Sequence, residues 1–185
     1  AIKLLEHAMK VFERVLEHRL RGLVKINDMQ YGFTPGRGTT DAIFIVRQMQ
    51  ERFIEKDKCL YYAFVDLEKA YDRVPREVTR WALRKAGVEE GLINAIMALY
   101  EEAWTVVRTG DGDSEGFEVK VGLHQGSVLS PLLFLIVMEA VSSKVRGGLL
   151  WELLYADDLV LMAGGLEELT EKINRWKTAL ENKGM

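Results

Sequence analysis

Residues 153–162, LLYADDLVLM, place two adjacent carboxylates between two apolar runs. Successive side chains of a regular strand point to opposite faces, so Asp157 and Asp158 converge only where the chain bends. The flanking runs are apolar enough to be strands packed on a core, although the turn holds no Gly or Asn. Because Asp is also common in ordinary turns, an isolated pair would favour that simpler interpretation. We predict that WELLYADDLVLMA forms a hairpin that turns at residues 156–158.

A third carboxylate, Asp66, ends a run of aromatic and β-branched residues that predicts a buried strand over 59–67, CLYYAFVDL. Three carboxylates gathered where buried strands end repel one another and resist ionisation unless a cation lies among them. The single cysteine and the unrelated positions of His7, His18 and His124 argue against zinc or copper. All-oxygen ligation favours Mg²⁺, and two such ions about 3.5–4 Å apart would support phosphoryl or nucleotidyl transfer. The substrate stays open at this point.

The composition indicates one compact globular domain. The chain has 185 residues, 48% of them hydrophobic, with no membrane-spanning apolar run and no signal peptide. It begins with Ala inside a helical pattern, so we expect it to be part of a longer protein. Cys59 is the only cysteine, which excludes an intramolecular disulfide and suits an intracellular compartment. A net charge of -3 gives no reason from composition alone to expect nucleic acid.

Basic residues are unevenly distributed along the chain. Residues 1–50 carry eight Lys and Arg against five Asp and Glu. A later run at helix-compatible spacing comprises Arg73, Arg76, Arg80, Arg84 and Lys85. That run is either a solvated helix face or a contact surface for a phosphate backbone. The loop GRG at 36–38 is either a phosphate cradle or, more simply, a turn.

The remaining patterns alternate helices with short strands and predict an α+β fold without internal repeats or a linker. The apolar stripe of a first helix comprises Ile2, Leu5, Met9, Phe12, Leu16, Leu20 and Leu23, with Gly22 near its end. Candidate caps of a second helix are Thr39, Thr40 and Asp41. Further helices are predicted at about 75–87, 89–103 and 128–145, and a last one with Leu169, Ile173, Trp176 and Leu180 inward. A hairpin is predicted to join WTVVRT to FEVKV around GDGDSEG.

Four blocks of the sequence resemble motifs of reverse transcriptases. FVDLEKAYDRVPRE, GLHQGSVLSPLLF and LLYADDLVLMA occur in the order and approximate spacing of motifs A, B and C. QYGFTPGRGTTDAI resembles the fingers motif of non-LTR (LINE-type) retrotransposon and group II intron enzymes. The sequence as a whole is most similar to the non-LTR retrotransposon enzymes. The resemblance implies a polymerase palm, which is an antiparallel sheet with a catalytic hairpin and packed helices, plus partial fingers. It assigns about 1–58 and 75–122 to the fingers, and 59–74 and 123–185 to the palm.

The same resemblance implies roles for individual residues. Asp66, Asp157 and Asp158 would be the catalytic carboxylates and, with the Leu67 carbonyl, the ligands of two Mg²⁺ ions, for which Mn²⁺ could substitute. Tyr71 matches the aromatic gate that excludes a ribose 2′-OH, although a core aromatic is the alternative. The other expected nucleotide contacts are Gln125, Gly126 and Arg37. The expected template and primer contacts are Ser130, Pro131, Tyr155, Arg73 and Arg76.

The implied activity is that of an RNA-directed DNA polymerase, which adds dNTPs to the 3′-OH of a DNA primer on an RNA template. We expect the thumb and endonuclease regions to lie outside the chain and its grip on substrate to be impaired. The exposed apolar surface of the last helix would then favour self-association. A nuclear location is expected for a non-LTR retrotransposon, and no membrane partner.

Other interpretations remain open. An RNA-dependent RNA polymerase shares the palm but usually carries Gly before the paired Asp, where Tyr155 and Ala156 stand here. The remaining alternatives are a catalytically weak or inactive RNA-binding module, a group II intron-type maturase fragment and a palm-fold nucleotide cyclase. Primer extension with dNTPs against NTPs separates these interpretations.

Overall fold

The computed structural model describes residues 6–101, 103–110, 112–148 and 151–185. Within these ranges the helices are α1 (His7–Leu23), α2 (Thr39–Glu55), α3 (Ala70–Arg73), α4 (Arg76–Lys85), α5 (Glu90–Ala98), α6 (Ser130–Ser142) and α7 (Leu166–Glu181). The strands are β1 (Tyr61–Val65), β2 (Trp104–Thr105), β3 (Arg108–Thr109), β4 (Gly112–Asp113), β5 (Phe117–Glu118), β6 (Glu152–Tyr155) and β7 (Asp158–Ala163). The α+β class expected from the sequence is confirmed.

Strand β7 is the centre of a three-stranded antiparallel sheet, with β1 on one side and β6 on the other. β6 and β7 form the predicted hairpin, whose last pair is Tyr155 with Asp158. β1 runs antiparallel to β7, and Val65 near its end lies opposite Leu159. The two strands that were predicted to carry the carboxylates are therefore neighbours in one sheet.

Both faces of β7 are covered. Leu159 and Leu161 belong to the main core, whereas Val160 and Met162 pack in a second, smaller cluster with residues of α2. Alternating side chains of one strand thus enter two different apolar layers. Burial on both faces explains why the strand reads as a nearly continuous apolar run in the sequence.

The outer edge of β6 is covered by residues 29–31, which come from the loop between α1 and α2. The Tyr31 N–H donates to the Leu154 carbonyl at 2.8 Å, and the Leu154 N–H donates to the Met29 carbonyl at 2.9 Å. Gln30 and Leu154 form a parallel bridge. Since an open strand edge leaves backbone groups unpaired, this short segment completes the sheet on that side.

Helix α6 runs through the centre of the molecule. Its residues are buried on almost every side, and it packs against α4 and α7. A helix that is apolar all round belongs in the interior. Pro131 lies in the first turn, where its missing N–H leaves no intrahelical bond unmade. No helix in the described ranges is long and apolar enough to cross a membrane.

The predicted hairpin after α5 is present, but its loop is shorter than GDGDSEG. β2 pairs with β5, and farther out β3 pairs with β4. Gly112 and Asp113 belong to β4, where they lie opposite Thr109 and Arg108. Helix α5 ends at Ala98 rather than near residue 103.

The burial predicted for α1 is only partly right. Three members of its stripe are exposed, namely Met9, Phe12 and Leu23. Two others, Ile2 and Leu5, lie outside the described residues. The buried face includes Glu13, whose carboxylate accepts the Val128 N–H at 2.8 Å just before α6. A buried acid satisfied by a distant backbone donor is invisible to a search for apolar periodicity.

One prediction about a surface is wrong and another is confirmed. Strand β1 is not buried throughout, because Phe64 is 74% exposed. The inward stripe predicted for the last helix is confirmed, because Leu169, Trp176 and Leu180 are buried in the main core, while self-association through other surface of α7 stays a prediction. Whether a side chain is buried thus depends on the element that packs against it, and the local sequence pattern does not always identify that element.

The start of α2 also differs from the prediction. The helix is preceded by Gly38 as its N-cap, and Thr39 is already helical. The Asp41 carboxylate accepts the Gly38 N–H at 2.8 Å, so Asp41 stabilises the first turn from inside the helix.

Candidate active site

Asp157 lies in the two-residue turn between β6 and β7, and Asp158 begins β7; we call residues 155–158 the acidic turn. Ala156 has a positive φ of 58°. A residue other than Gly in this region is strained by about 1–3 kcal/mol and persists only when its surroundings hold it there. Ala156 is buried, which limits the space into which the turn can relax. The acidic turn is therefore held by its neighbours and not by its own sequence.

Gln30 supplies the polar contacts that hold Ala156. The Gln30 Oε1 accepts the Ala156 N–H and the Gly32 N–H, each at 2.9 Å. The Gln30 Nε2 donates to the Ala156 carbonyl at 3.4 Å. Sequence reasoning missed this residue, because the contact joins positions 126 residues apart and Gln30 matches no local pattern for a catalytic group.

Asp66 and Asp158 lie at the same end of the sheet. Asp66 directly follows β1, Asp158 begins β7, and the preceding pair in the ladder is Val65 with Leu159. Burial, and then the negative charges of Asp157 and Asp66, raise the pKa of Asp158 above its usual value. The fold thus brings the three predicted carboxylates within electrostatic reach of one another.

The carboxylates do not form a closed cage in the structure. In the part of the chain that is described, no three His, Cys, Asp or Glu side chains are grouped closely enough to hold a metal ion. Mg²⁺ differs from Ca²⁺ or Zn²⁺ in that it usually takes only one or two carboxylates and completes its octahedron with water and substrate phosphates. An open, all-oxygen set of donors is consistent with that preference.

Tyr71 lies between the acidic turn and the core. Its ring stacks on Phe134 of α6 with centroids 4.8 Å apart, and Phe33 meets it edge-on at 6.5 Å. Burial, and next the charge of Asp157, raise the pKa of the Tyr71 phenol well above its usual value, so the ring stays neutral. Among the described residues its hydroxyl has no hydrogen-bond partner. Tyr71 is thus a core aromatic on one face and a neighbour of the carboxylates on the other.

The turn that precedes α6 is packed closely on α3. Gln125 donates from Nε2 to the Asp72 carboxylate at 2.9 Å. Gly126 has a φ of 93° and Gly122 a φ of 91°. A Cβ at Gly122 would lie 2.8 Å from the Asp72 carbonyl oxygen, so glycine permits both the backbone conformation and the contact. Gln125 and Gly126 are therefore anchored next to the helix that carries Tyr71.

Ser130 is placed as a structural residue. It is 1% exposed, and its hydroxyl lies 3.1 Å from the Tyr100 hydroxyl. Burial raises the pKa of Tyr100 to about 12. Because its side chain is buried, the predicted role of Ser130 at the template would be exerted through α6. Pro131 is partly exposed beside it, while Tyr155 is half-buried at the acidic turn.

The basic residues predicted to contact substrate are largely occupied within the chain. Arg37 donates to the Asp28 carbonyl and, at 2.9 Å, to its carboxylate, and it lies over the Tyr31 ring. Arg76 donates to the backbone carbonyls of Tyr100 and Val119, so a contact of Arg76 with template or primer would compete with these bonds and stays a prediction.

The remaining members of the basic run are partnered as well. Arg73 pairs with Glu68 at 3.2 Å, but both side chains are exposed and the pair is weak. The others have partners on α5 and α6: Arg80 with Asn94, Arg84 with Glu90, and Lys85 with Ala140 and Ser143. Several members of the run thus connect helices within the chain, and a phosphate contact by its exposed members stays a prediction.

Comparison with known proteins identifies the family to which the chain belongs. Residues 1–185 match the family described as reverse transcriptase (RNA-dependent DNA polymerase). A Pol polyprotein from the type-1 retrotransposable element R2 of Nasonia vitripennis is 30% identical over 96% of the chain. One from the type-2 element R2DM of Drosophila melanogaster is 31% identical over 85%. The chain spans 18% and 16% of the lengths of these relatives.

Solved structures show the same fold. Apo telomerase from Candida tropicalis, truncated from its C-terminal domain, matches 95% of the chain and 38% of its own length with a TM-score of 0.68 and 18% identity. Telomerase from the same organism in complex with a TWJ fragment of telomeric RNA matches 93% of the chain and 31% of its own length with a TM-score of 0.65 and 16% identity.

Proposed function

Because this chain belongs to the reverse transcriptase family, we propose that it adds deoxynucleotides to the 3′-OH of a primer as directed by an RNA template. The observation that carries the proposal is the placement of Asp66, Asp157 and Asp158 at the same end of the sheet. In this proposal β1, β6, β7, α6 and α7 form the palm, and α1, α2 and the hairpin β2–β5 belong to the fingers.

The donor set suits a hard divalent cation. Reverse transcriptases depend in general on divalent metal ions. Asp66, Asp157 and Asp158, together with the Leu67 carbonyl, would hold Mg²⁺ or Mn²⁺ here, and the raised pKa of Asp158 is relieved when a cation neutralises the crowded charges. When bound, such ions lower the pKa of an attacking hydroxyl and neutralise charge on the departing phosphates.

The neighbouring residues would orient the nucleotide. Tyr71 presents a neutral ring next to Asp157, where it would occupy the volume of a ribose 2′-OH and so favour dNTPs. Its position is fixed by stacking on Phe134. Gln125 and Gly126 are anchored on α3 through Asp72 and would form the floor beneath the incoming base.

RNA is the proposed template because the chain belongs to the reverse transcriptase family and because a protein of the same fold was solved with RNA. The telomerase of Candida tropicalis that shares this fold was solved with a fragment of telomeric RNA. A DNA primer and dNTPs complete the set of substrates. Since base pairing selects the nucleotide, the protein needs only to hold the backbone and shape of the duplex.

Primer extension tests the proposal directly. The chain is mixed with an RNA template, an annealed DNA primer and Mg²⁺, and extension is measured with dNTPs and, separately, with NTPs. We expect extension with dNTPs that Asp157→Asn lowers by more than about a hundredfold, because loss of a metal ligand costs more than loss of an outer partner.

The matched control is Asp57→Asn. Asp57 is exposed and has a φ of 51°, a conformation that Asn tolerates well, so this change removes one carboxylate without strain. Its extension rate should equal that of the wild type. If wild type and Asp157→Asn behave alike while both bind RNA, the chain is an RNA-binding module and not a polymerase domain.

A further inference from the structure

We propose that Gln30, with Gly32 beside it, is a positioning residue that fixes the backbone of the acidic turn and so sets where the Asp157 carboxylate lies. The inference rests on the proposed function. The hydrogen bonds of the Gln30 amide go to backbone groups of Ala156 and Gly32, so Gln30 would act on Asp157 through the backbone of Ala156.

The need for such a residue follows from the conformation of Ala156. Its positive φ is strained for any residue other than Gly, and Asp157 is the next residue in the chain. A change of the Ala156 dihedral angles would therefore swing Asp157 directly. The two hydrogen bonds of Gln30 to the N–H and carbonyl of Ala156 fix both peptide groups that flank this residue.

Burial makes these bonds stronger constraints than surface contacts would be. Gln30 is 2% exposed. If its amide were removed, the Ala156 N–H, the Ala156 carbonyl and the Gly32 N–H would each lose a partner in a site with little access to water. A buried polar group without a partner is costly, so alternative positions of the turn are disfavoured.

Gly32 allows the loop between α1 and α2 to approach the backbone of the acidic turn closely. A Cβ at residue 32 would lie 2.3 Å from the Ala156 nitrogen and 2.8 Å from the Tyr155 carbonyl carbon. Both neighbours are backbone atoms that cannot rotate away. The φ of Gly32 is not positive, so glycine is required here for space and not for backbone conformation.

The loop itself is tied down, so it can act as a support. Asn27 donates its N–H to the Glu139 carboxylate of α6 at 3.1 Å, and its side-chain oxygen accepts the Met29 N–H at 2.8 Å. Next along the chain, the backbone groups of Met29 and Tyr31 hydrogen-bond to Leu154 of β6. A continuous chain of contacts thus leads from the central helix α6 through residues 27–32 to the acidic turn.

Metal binding gives a test that does not require polymerase activity. Mn²⁺ is titrated into the 185-residue chain, and the free ion is followed by electron paramagnetic resonance. Gln30→Met keeps the size of the side chain but makes none of the three bonds, and should weaken Asp157-dependent Mn²⁺ binding by about 10- to 100-fold. Gln50→Met, on the exposed surface of α2, is the matched control and should bind as the wild type does.

A second variant covers the case in which Gln30→Met does not fold. Gln30→Asn keeps the amide but shortens it by one methylene, so it cannot reach Ala156 and Gly32 together. Circular dichroism establishes that each variant is folded at the temperature of the titration. Among folded variants, a purely stabilising role of Gln30 would leave the Mn²⁺ affinity unchanged.

Primer extension provides the second measurement. A misplaced catalytic group costs up to about a hundredfold in rate. We therefore expect kcat to fall in both Gln30 variants, while KM for the dNTP changes little because no nucleotide contact is lost.

The two proposals fail in different ways. If the wild type binds Mn²⁺ and the folded Gln30 variants bind it equally well, the positioning role is wrong and the proposed function stands. If the wild type shows no binding that Asp157→Asn removes, the proposed metal site is wrong and the role of Gln30 falls with it.

Discussion

Asp158 is held where its charged form is disfavoured, because burial and the charges of Asp157 and Asp66 all raise its pKa. A carboxyl whose pKa is higher in the folded state makes the protein less stable as the pH rises from the unfolded to the folded value. We expect Asp158→Asn to raise the melting temperature in metal-free buffer at neutral pH. The gain should shrink as the pH falls and vanish below about 3, where the acid is protonated in both states.

The control for this prediction is Glu115→Gln, which removes an exposed carboxylate from the β2–β5 hairpin. It should leave the melting temperature nearly unchanged at both pH values. A lower melting temperature for Asp158→Asn at neutral pH would mean that the charge of Asp158 is stabilising and that the crowding argument is wrong.

The sequence identifies the acids but not what holds them. Asp66 and Asp158 are found because carboxylates that end apolar strands are unusual, and strand ends are local features. The positive φ of Ala156 and the contact with Gln30 depend on residues 126 positions apart. The internal partners of Arg76 were missed for the same reason, since the Tyr100 and Val119 carbonyls are brought to it by tertiary packing.

At the scale of elements, two glycines should respond to the same substitution in opposite directions. Gly91 lies in α5 with open space around it, so Gly91→Ala should raise the free energy of unfolding by about 0.5–1 kcal/mol. Gly122 has a φ of 91° and would direct a Cβ onto the backbone of Asp72, so Gly122→Ala should lower it by about 1–3 kcal/mol.

Urea unfolding of both variants measures the difference. Gly122→Ala should also lower primer extension, because Gly122 holds the segment of Gln125 against α3. Equal effects of the two substitutions on stability would contradict the close packing of this turn.

Periodicity predicted the elements better than their ends. The apolar run of α6 and the two strands β6 and β7 follow from patterns that need no knowledge of neighbours. The inward stripe of α7 also follows from periodicity, whereas the exposure of Phe64 depends on which elements pack together.

At the scale of the whole molecule, Arg76 connects α4 to the end of α5 and to the base of the hairpin. Arg76→Met leaves the Tyr100 and Val119 carbonyls without this donor, so it should lower the free energy of unfolding by about 1–3 kcal/mol. Limited proteolysis should then cut the hairpin faster.

Arg73→Met is the matched control, because its exposed pair with Glu68 contributes about 0–1 kcal/mol. If Arg76→Met weakened RNA binding while stability and proteolysis stayed unchanged, Arg76 would be a template contact after all.

The bond between Gln30 and Ala156 closes a loop of 126 residues, and the strand beside the acidic turn pairs with β1, far earlier in the chain. Topologies dominated by such distant pairings fold slowly, because the entropy of loop closure is lost before the contacts form. During synthesis, a chain that has not yet produced β7 contains neither the acidic turn nor the central strand of its sheet. We therefore expect the acidic turn to form late in folding, together with the sheet.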